Sequence, residues 1–128
     1  MNEDGLLYSA SHEWARVEGD VCVVGITRFA VEQLTDVTYV ELPPVGRAVT
    51  KGKPFGVIES VKSANDLYAP VSGEVIAVNA AVADDPASIS ADPYGAGWMI
   101  KIRTSADPDL GGLMKKADYD AQTAANGH

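Results

Sequence analysis

Cysteine and histidine are scarce in this sequence, and both shortages exclude chemistry. Cys22 is the only cysteine, and His12 and His128 are the only histidines. The chain therefore forms no intrachain disulfide, and no Cys/His cluster has the spacing of a metal site. Cys22 lies in the apolar run 21–24, which predicts a small buried side chain rather than a reactive thiol. Nucleophile-elbow, P-loop and dinucleotide-binding glycine motifs are missing too, so the sequence offers little catalytic machinery.

Positive charge and long apolar stretches are also lacking. The chain has 10 Lys and Arg against 18 Asp and Glu, a formal net charge of −8. This balance argues against binding nucleic acid or an anionic membrane, since both require a basic face. No apolar run approaches the roughly 20 residues of a membrane span. The acidic first residues lack the character of a secretion signal, so we expect a bacterial cytoplasmic protein and favour a matured mitochondrial form less.

The composition that remains is that of an ordinary globular domain. The chain has 128 residues, 46% of them hydrophobic, which is enough to build a core. We therefore predict a single domain over 1–128. Its polar ends, at 1–5 and about 120–128, are expected to be disordered tails.

Short alternating segments predict a β-rich fold with few helices. Residues 12–18 and 21–26 predict a hairpin. Thr27 is expected to cap a short helix over 28–34. Asp84-Asp85 precedes Pro86 and predicts an Asp-capped helical turn, which explains this pair of carboxylates without a catalytic role.

A faint internal repeat points in the same direction. The segment Leu42–Val49 parallels Ala69–Ile76, so that Pro43 matches Pro70 and Gly46 matches Gly73. Proline ends strand pairing and glycine permits a tight bend, so each copy is expected to turn a corner of a small sheet. Two such units predict a compact β-barrel or sandwich with quasi-twofold symmetry, although a match this short also arises by chance.

A second hairpin holds a lysine at its tip. Its arms are residues 55–60 and 66–68, and the second arm resumes at 73–78. The residues between the arms are small and polar, and Lys62 lies among them. An exposed lysine in a turn is most often a solvated side chain, so composition alone assigns Lys62 no function.

His12 and Glu13 are neighbours that resemble an acid–base pair. Both belong to the segment predicted to form the first strand of the N-terminal hairpin. Adjacent residues on a strand point to opposite faces of the sheet. We therefore predict that His12 and Glu13 do not act together in catalysis.

The context of Lys62 extends over a longer series of motifs. This series resembles the H protein family of the glycine cleavage system, whose members carry a lipoyl group, and the resemblance runs from about Leu7 to Tyr119. The motifs that carry it are His12-Glu13-Trp14, Val24-Gly25-Ile26-Thr27, Tyr39-Val40-Glu41-Leu42-Pro43, Glu59-Ser60-Val61-Lys62, Asp66-Leu67-Tyr68, Pro70-Val71-Ser72-Gly73-Glu74-Val75, and Asp92-Pro93-Tyr94-Gly95 with Gly97-Trp98.

This resemblance implies a fold and a modification. The implied fold is mostly β, a lipoyl/biotinyl-type flattened β-barrel (barrel-sandwich hybrid) with an N-terminal hairpin and short peripheral and C-terminal helices. Lipoate would be joined to Lys62 through an amide. Biotin carriers are similar but usually place their lysine between two methionines, whereas the neighbours here are Val61 and Ser63.

The resemblance also implies a non-catalytic role and a set of partners. The lipoyl arm would carry an aminomethyl group from a pyridoxal-phosphate glycine decarboxylase to a tetrahydrofolate-dependent aminomethyltransferase, and an FAD-containing dihydrolipoyl dehydrogenase would reoxidise it. A lipoyl ligase or transferase would attach the arm. We expect a monomer, because a shuttle must leave each partner. The alternative is a relay that donates its lipoyl group to 2-oxo acid dehydrogenase subunits.

Further residues receive hypothetical roles from the resemblance. Glu13 and Asp66 would hold the cationic end of the loaded arm by charge-assisted hydrogen bonds, and Tyr68 would line the wall of the same shelter. Glu59 would position the ligase. Arg28-Phe29 and Asn65 depart from residues common in the family, and we expect Arg28 to alter a docking surface without touching the lysine.

Overall fold

The computed structural model describes residues 6–9, 11–34, 37–104 and 113–126. Its secondary structure is mostly antiparallel β. The strands are β1 Leu7–Tyr8, β2 Glu13–Glu18, β3 Val21–Ile26, β4 Val37–Glu41, β5 Ala48–Val49, β6 Pro54–Ser60, β7 Ala64–Tyr68, β8 Gly73–Val78 and β9 Ile100–Arg103. The helices are α1 Arg28–Leu34, α2 Ala80–Asp84, α3 Ala87–Ala91 and α4 Lys116–Asn126.

These strands form two separate sheets. The larger has six strands in the order β1-β2-β3-β9-β8-β5, and the smaller has three in the order β4-β6-β7. The main core lies between them and includes side chains from both, such as Val24, Ile58 and Ile102. The sheets do not share a hydrogen-bonded ladder in the described residues, so the architecture is a flattened barrel-sandwich rather than a closed barrel. None of the described helices is long and apolar enough to cross a membrane.

The predicted N-terminal hairpin is confirmed, and both of its faces are buried. β2 pairs with β3 in continuous register from Glu13↔Ile26 to Glu18↔Val21. Gly19, with φ of 66°, adopts at the turn a left-handed conformation that glycine reaches without strain. One face of β2 joins the main core through Ala15. The other joins a second, largely aromatic cluster of Leu6, Tyr8, Trp14, Val23, Tyr94 and Tyr119.

The two copies of the sequence repeat pair with each other. Each proline follows its strand by two residues, since β4 ends at Glu41 and β7 at Tyr68. The copies then meet as an antiparallel pair, in which Val49 faces Gly73.

The two matched glycines of the repeat have different physical roles. Gly46 has φ of 96°, a backbone conformation that side chains disfavour, with open space around it. Gly73 lies so close to the carbonyl oxygen of Arg103 that no Cβ fits there. Glycine is thus favoured by the backbone conformation in one copy and by the lack of space for a side chain in the other.

The structure confirms one of the predicted helix caps and corrects the other. Thr27 caps α1 as predicted, accepting a hydrogen bond from the amide of Ala30 at 3.2 Å. The Asp cap was wrong: α3 begins after Pro86 without a side-chain cap bond, and Asp85 instead ends α2, a helix that the sequence did not predict. The sequence also predicts a C-terminal helical region that begins at 107–110, and these positions lie outside the described residues.

The C-terminal end also differs from its prediction. A disordered tail was expected from about residue 120, whereas α4 continues to Asn126. Tyr119 anchors this helix, because its side chain is only 4% exposed and belongs to the aromatic cluster. Tyr119 is the one buried residue among the described side chains of α4, 116–123, which leaves little hydrophobic periodicity in the sequence.

Candidate carrier site

A cleft of about 430 Å³ opens beside the lysine hairpin. This volume lies within the range of small-molecule sites in proteins. Four parts of the chain form its walls: the turn and first residue of β2, the end of β3, the helix α1, and the strands β6 and β7. The lining residues are Ser11, His12, Glu13, Ile26, Phe29, Ala30, Gln33, Leu34, Ile58, Asn65, Asp66, Leu67 and Tyr68.

The lysine hairpin turns through a short tip held by one serine. The amide of Ser60 donates to the carbonyl of Ser63 at 2.8 Å. The Ser60 hydroxyl oxygen accepts hydrogen bonds from the amides of Lys62 and Ser63 at 3.1 and 3.2 Å. Neither Val61 nor Lys62 has a positive φ, so the tip is no type I′ turn, and the serine side chain replaces the usual Asn-Gly signal.

The Lys62 amine lies at the mouth of the cleft. Its Nζ atom donates to the carbonyl oxygen of Gln33 at 3.3 Å. Gln33 lines the cleft and belongs to the last turn of α1, whose carbonyls have no partner within the helix. The partial negative charge at this helix end favours a cation there. The lysine is exposed, and its amine is directed at the cleft rim.

Glu13 is a buried carboxylate in the wall of this cleft. It is only 2% exposed. Oε1 accepts from the hydroxyls of Ser9 at 2.7 Å and Ser11 at 2.5 Å, and Oε2 accepts from the amide of Tyr68 at 3.2 Å. Burial raises the pKa of Glu13 above its usual value, and these hydrogen bonds oppose the rise. No cation pairs with Glu13 within the described ranges.

His12 and Glu13 line the same cleft, contrary to the sequence argument. That argument assumed a continuous strand, but β2 begins only at Glu13. His12 precedes it with φ of 75°, a left-handed conformation that is rare outside glycine. This turn reverses the expected alternation and brings both side chains to one cavity. Burial lowers the pKa of His12, so its imidazole favours the neutral form.

Asp66 and Tyr68 border the cleft from the edge strand β7. Asn65 is paired with Ile58, and Asp66 with Val57, so the register gives them opposite faces. Both nevertheless line the cleft, because β7 is the outer strand of its sheet. Tyr68 contributes more than a wall, since its backbone amide is one of the donors to Glu13.

Glu59 lies on the opposite face of the hairpin. It pairs with Tyr39 on one side and Ala64 on the other. None of these three lines the cleft. Tyr39 is 47% exposed, so this face presents an aromatic ring and a carboxylate to solvent beside the tip.

Sequence reasoning missed several cleft residues. Ser9 and Ser11 flank the His12-Glu13 pair, and this clustering of hydroxyls around an acid was a usable signal. Phe29 and Gln33 have the helical spacing of one face of α1, and that face lines the cleft. Two departures from the family pattern, Phe29 and Asn65, therefore lie in the cleft wall. Arg28, expected to alter a docking surface, donates to the carbonyl of Ser90 at 2.9 Å.

The other chemical candidates have structural explanations. Cys22 is fully buried, and burial raises the pKa of its thiol to about 12. No group of three or more His, Cys, Asp or Glu in the described segments is placed to hold a metal ion.

The chain is similar to known proteins over nearly its whole length. The family described as "Glycine cleavage H-protein" matches residues 6–126. The chain is 55% identical over 105 residues to the glycine cleavage system H protein of Rubrobacter xylanophilus, covering 82% of this chain and 83% of the relative. It is 52% identical over 116 residues to that of Myxococcus xanthus, covering 91% and 90%.

A solved structure has the same fold. The glycine cleavage system H protein of Mycobacterium marinum superposes with a TM-score of 0.89 at 40% identity, over 97% of this chain and 99% of the other. This likeness confirms the predicted fold class. The chain belongs to the glycine cleavage H-protein family, the lipoyl carriers of that multienzyme system.

Proposed function

We propose that Lys62 is the lipoyl attachment residue and that this protein is a non-catalytic shuttle for aminomethyl groups. The observation that carries the proposal is the position of the Lys62 amine, 3.3 Å from the Gln33 carbonyl at the mouth of the cleft. An amide formed there keeps one N–H, so the same donor remains after the ammonium charge is lost. The attached arm would start at the rim of the cavity.

The cleft fits a lipoyl arm in its chemistry. Part of its wall is apolar, which suits a hydrocarbon chain and a dithiolane ring. The apolar lining side chains are Ile26, Phe29, Leu34, Ile58 and Leu67. When bound, lipoate supplies a disulfide that accepts an aminomethyl group and is left as a dithiol when that group is passed on.

The buried carboxylate suits the cargo. Glu13 is surrounded by neutral donors and has no cationic partner among the described residues, so an ammonium group in the cleft would supply the missing charge. Asp66 lines the same cavity from the edge strand and would add a second, more exposed carboxylate. Tyr68 fixes Glu13 through its amide. These three residues would shelter the loaded arm from water.

The outer face of the hairpin suits recognition by other proteins. Glu59 and the exposed Tyr39 lie beside the tip and outside the cleft. A lipoyl ligase or transferase would therefore contact Glu59 without entering the arm's shelter. The net charge of −8 favours basic surfaces on the ligase or transferase and on the other partner enzymes.

The partner enzymes follow from the family's multienzyme system. A pyridoxal-phosphate glycine decarboxylase would load the arm, and a tetrahydrofolate-dependent aminomethyltransferase would unload it. An FAD-containing dihydrolipoyl dehydrogenase would restore the disulfide. Tethering gives the cargo a high effective concentration at each docked active site. The similar proteins are bacterial, which supports a cytoplasmic carrier.

Intact mass spectrometry with peptide mapping tests the attachment. Co-expression with a lipoate ligase and lipoate should add one lipoyl group, located on the peptide that contains Lys62. Lys62→Arg should abolish the adduct completely. Lys53→Arg, a change at another exposed lysine, should leave it intact. An adduct that persists in Lys62→Arg, or no adduct on the wild-type protein, would contradict the proposal.

A second experiment tests the shelter. Glu13→Ala and Asp66→Ala should each shorten the lifetime of the aminomethyl group on the isolated lipoylated protein. A charged hydrogen bond contributes about 1.5–3 kcal/mol, so we expect a loss of about tenfold for Glu13 and less for exposed Asp66. Glu41→Ala changes an exposed carboxylate outside the cleft and should have no effect. If the two cleft variants retain the wild-type lifetime, the shelter does not exist.

A further inference from the structure

A chain of hydrogen bonds connects the C-terminal helix to the cleft. The Tyr119 hydroxyl of α4 lies 2.7 Å from Nδ1 of His12 and 2.7 Å from the hydroxyl of Thr27. Thr27 is fully buried, and its oxygen also accepts from the amide of Ala30 at 3.2 Å. The chain therefore begins at the N-terminus of α1 and ends at an imidazole in the cleft wall.

The direction of these bonds follows from counting donors and acceptors. A hydroxyl has one proton to donate. If Thr27 donates to Tyr119, and Tyr119 donates to His12, both hydroxyl protons are used. In the reverse direction the Thr27 oxygen would accept twice, and its own proton would be buried without a partner. Buried polar groups are rarely left unsatisfied, so the first arrangement is favoured.

This direction determines the state of the His12 ring. Nδ1 must be an acceptor, so the ring is neutral and carries its proton on Nε2. A protonated ring would donate from Nδ1 to the Tyr119 oxygen and leave the tyrosine proton without an acceptor. Burial also favours the neutral ring, because it lowers the pKa of His12. The ring also packs against Phe29, with centroids 4.8 Å apart.

Tyr119 is placed firmly enough to impose this state. Its ring stacks on Tyr8 with centroids 4.7 Å apart and an interplanar angle of 13°. Burial raises the pKa of its hydroxyl to about 12, so the group remains a proton donor at physiological pH. His12 is held in turn by its backbone, since the amide of Thr27 donates to the His12 carbonyl at 3.0 Å.

We propose that Tyr119 is a positioning residue that holds His12 as a neutral imidazole in the cleft, so that no positive charge opposes a cationic cargo. The benefit to the cargo rests on the function proposed above. Among the described residues, the charged groups at the cleft are Glu13 and Asp66 in its lining and, before lipoylation, the Lys62 amine at its mouth, with Asp120 next to Tyr119 on α4; Arg28 and Glu32 of α1 do not line the cavity. The C-terminal helix thus contributes to the cleft without touching the arm.

The first test uses the unlipoylated protein and does not depend on the carrier function. Nitrogen chemical shifts of His12 should show the Nε2–H tautomer in the wild type. In Tyr119→Phe, which keeps the stacked ring, the titration midpoint of His12 should shift upward. Thr27→Val should cause a smaller upward shift, and Thr27→Ser should restore the wild-type midpoint. Tyr39→Phe, on the far face of the small sheet, is the matched control and should change nothing.

The second test uses the lipoylated, aminomethyl-loaded protein. Between the wild-type midpoint and the raised midpoint, Tyr119→Phe should lose the cargo several-fold faster than the wild type, and outside this pH window the two lifetimes should agree. An Nδ1–H tautomer, an unchanged midpoint, or equal loss at every pH would overturn the proposal. Absence of a lipoyl adduct on Lys62 would instead refute the proposed function, while the His12 titration would still decide the role of Tyr119.

Discussion

The cleft wall and the hairpin tip are close in function and opposite in construction. In the wall, Glu13 is 2% exposed and held by three hydrogen-bond donors, and neighbouring Trp14 is fully buried. At the tip, Val61 is 68% exposed, and the hydrogen bonds of the turn come from Ser60, Ser63 and the Lys62 amide. One region is fixed by tertiary packing and the other by local bonds.

This difference matches what each region must do. A residue that an external enzyme modifies must be accessible, and a two-residue tip between paired strands provides access with little conformational freedom. A group that must meet a cation away from water has to be buried and oriented, which requires supports distant in sequence. Changes in the wall should therefore alter stability, and changes at the tip should alter modification.

The largest effect is expected from the aromatic side chain behind the wall. Trp14 packs in the second cluster, and its Nε1 donates to the Pro93 carbonyl at 2.8 Å. Trp14→Ala should lower the free energy of unfolding by about 3–5 kcal/mol, because it leaves a cavity and an unpaired carbonyl. Urea unfolding followed by circular dichroism measures this. Val61→Ala at the tip is the matched truncation and should stay within about 0.5 kcal/mol.

If the two truncations change stability equally, the contrast between wall and tip is wrong. If Val61→Ala proves the more damaging, the tip is a structural element rather than an exposed handle. Trp98 remains as a fluorescence probe in both variants, so the transitions can be followed by two signals.

A smaller change in the free energy of unfolding, this time an increase, is expected when Glu13 is replaced. Burial raises the pKa of Glu13 in the folded protein above its ordinary value of 4.5. At a pH between the ordinary and the raised pKa, the folded protein therefore binds more protons than the unfolded chain. The contribution of Glu13 to the free energy of unfolding of the wild-type protein therefore falls as the pH rises through that window. Glu13→Gln keeps the size and removes the charge. It should raise the free energy of unfolding at pH 7, and the gain should vanish below pH 4.5.

Unfolding free energies of the two proteins across pH 4–8 measure this difference. Glu32→Gln, at an exposed position on α1, is the control and should show no such dependence. A destabilised Glu13→Gln at neutral pH would mean that the serine and Tyr68 donors require the charge and outweigh burial. A stabilised variant that also loses its aminomethyl group faster would show stability given up for function.

The hairpins were accessible to sequence reasoning because their signals are local. The alternation in 12–18 and 21–26 and the turn at Gly19 led directly to β2 and β3. The lysine hairpin followed from its β-forming arms and polar tip. Errors came where one side chain has two local readings: Asp85 was assigned to the start of a helix and lies at the end of another.

The cleft was less accessible because its parts are distant in the chain. Tyr119 reaches His12 across 107 positions, and no periodic pattern announces that contact. The helix face of Phe29 and Gln33 has the spacing of a core face, and only the position of α1 relative to β6 and β7 makes it a cavity wall. Local patterns specify which face of an element is apolar, but not what that face meets.

The sequence by itself determined the β-rich class, the family, and a lysine on a hairpin between short strands, because these depend on residue order and local turn chemistry. Only the tertiary structure decided that the Lys62 amine meets the end of α1, and that Glu13 is buried with no cation beside it in the described part of the chain. It also decided that His12 turns into the same cleft as Glu13. The physical reason is that burial and charge balance are properties of assembled neighbours, whereas strand alternation and turns are properties of adjacent residues.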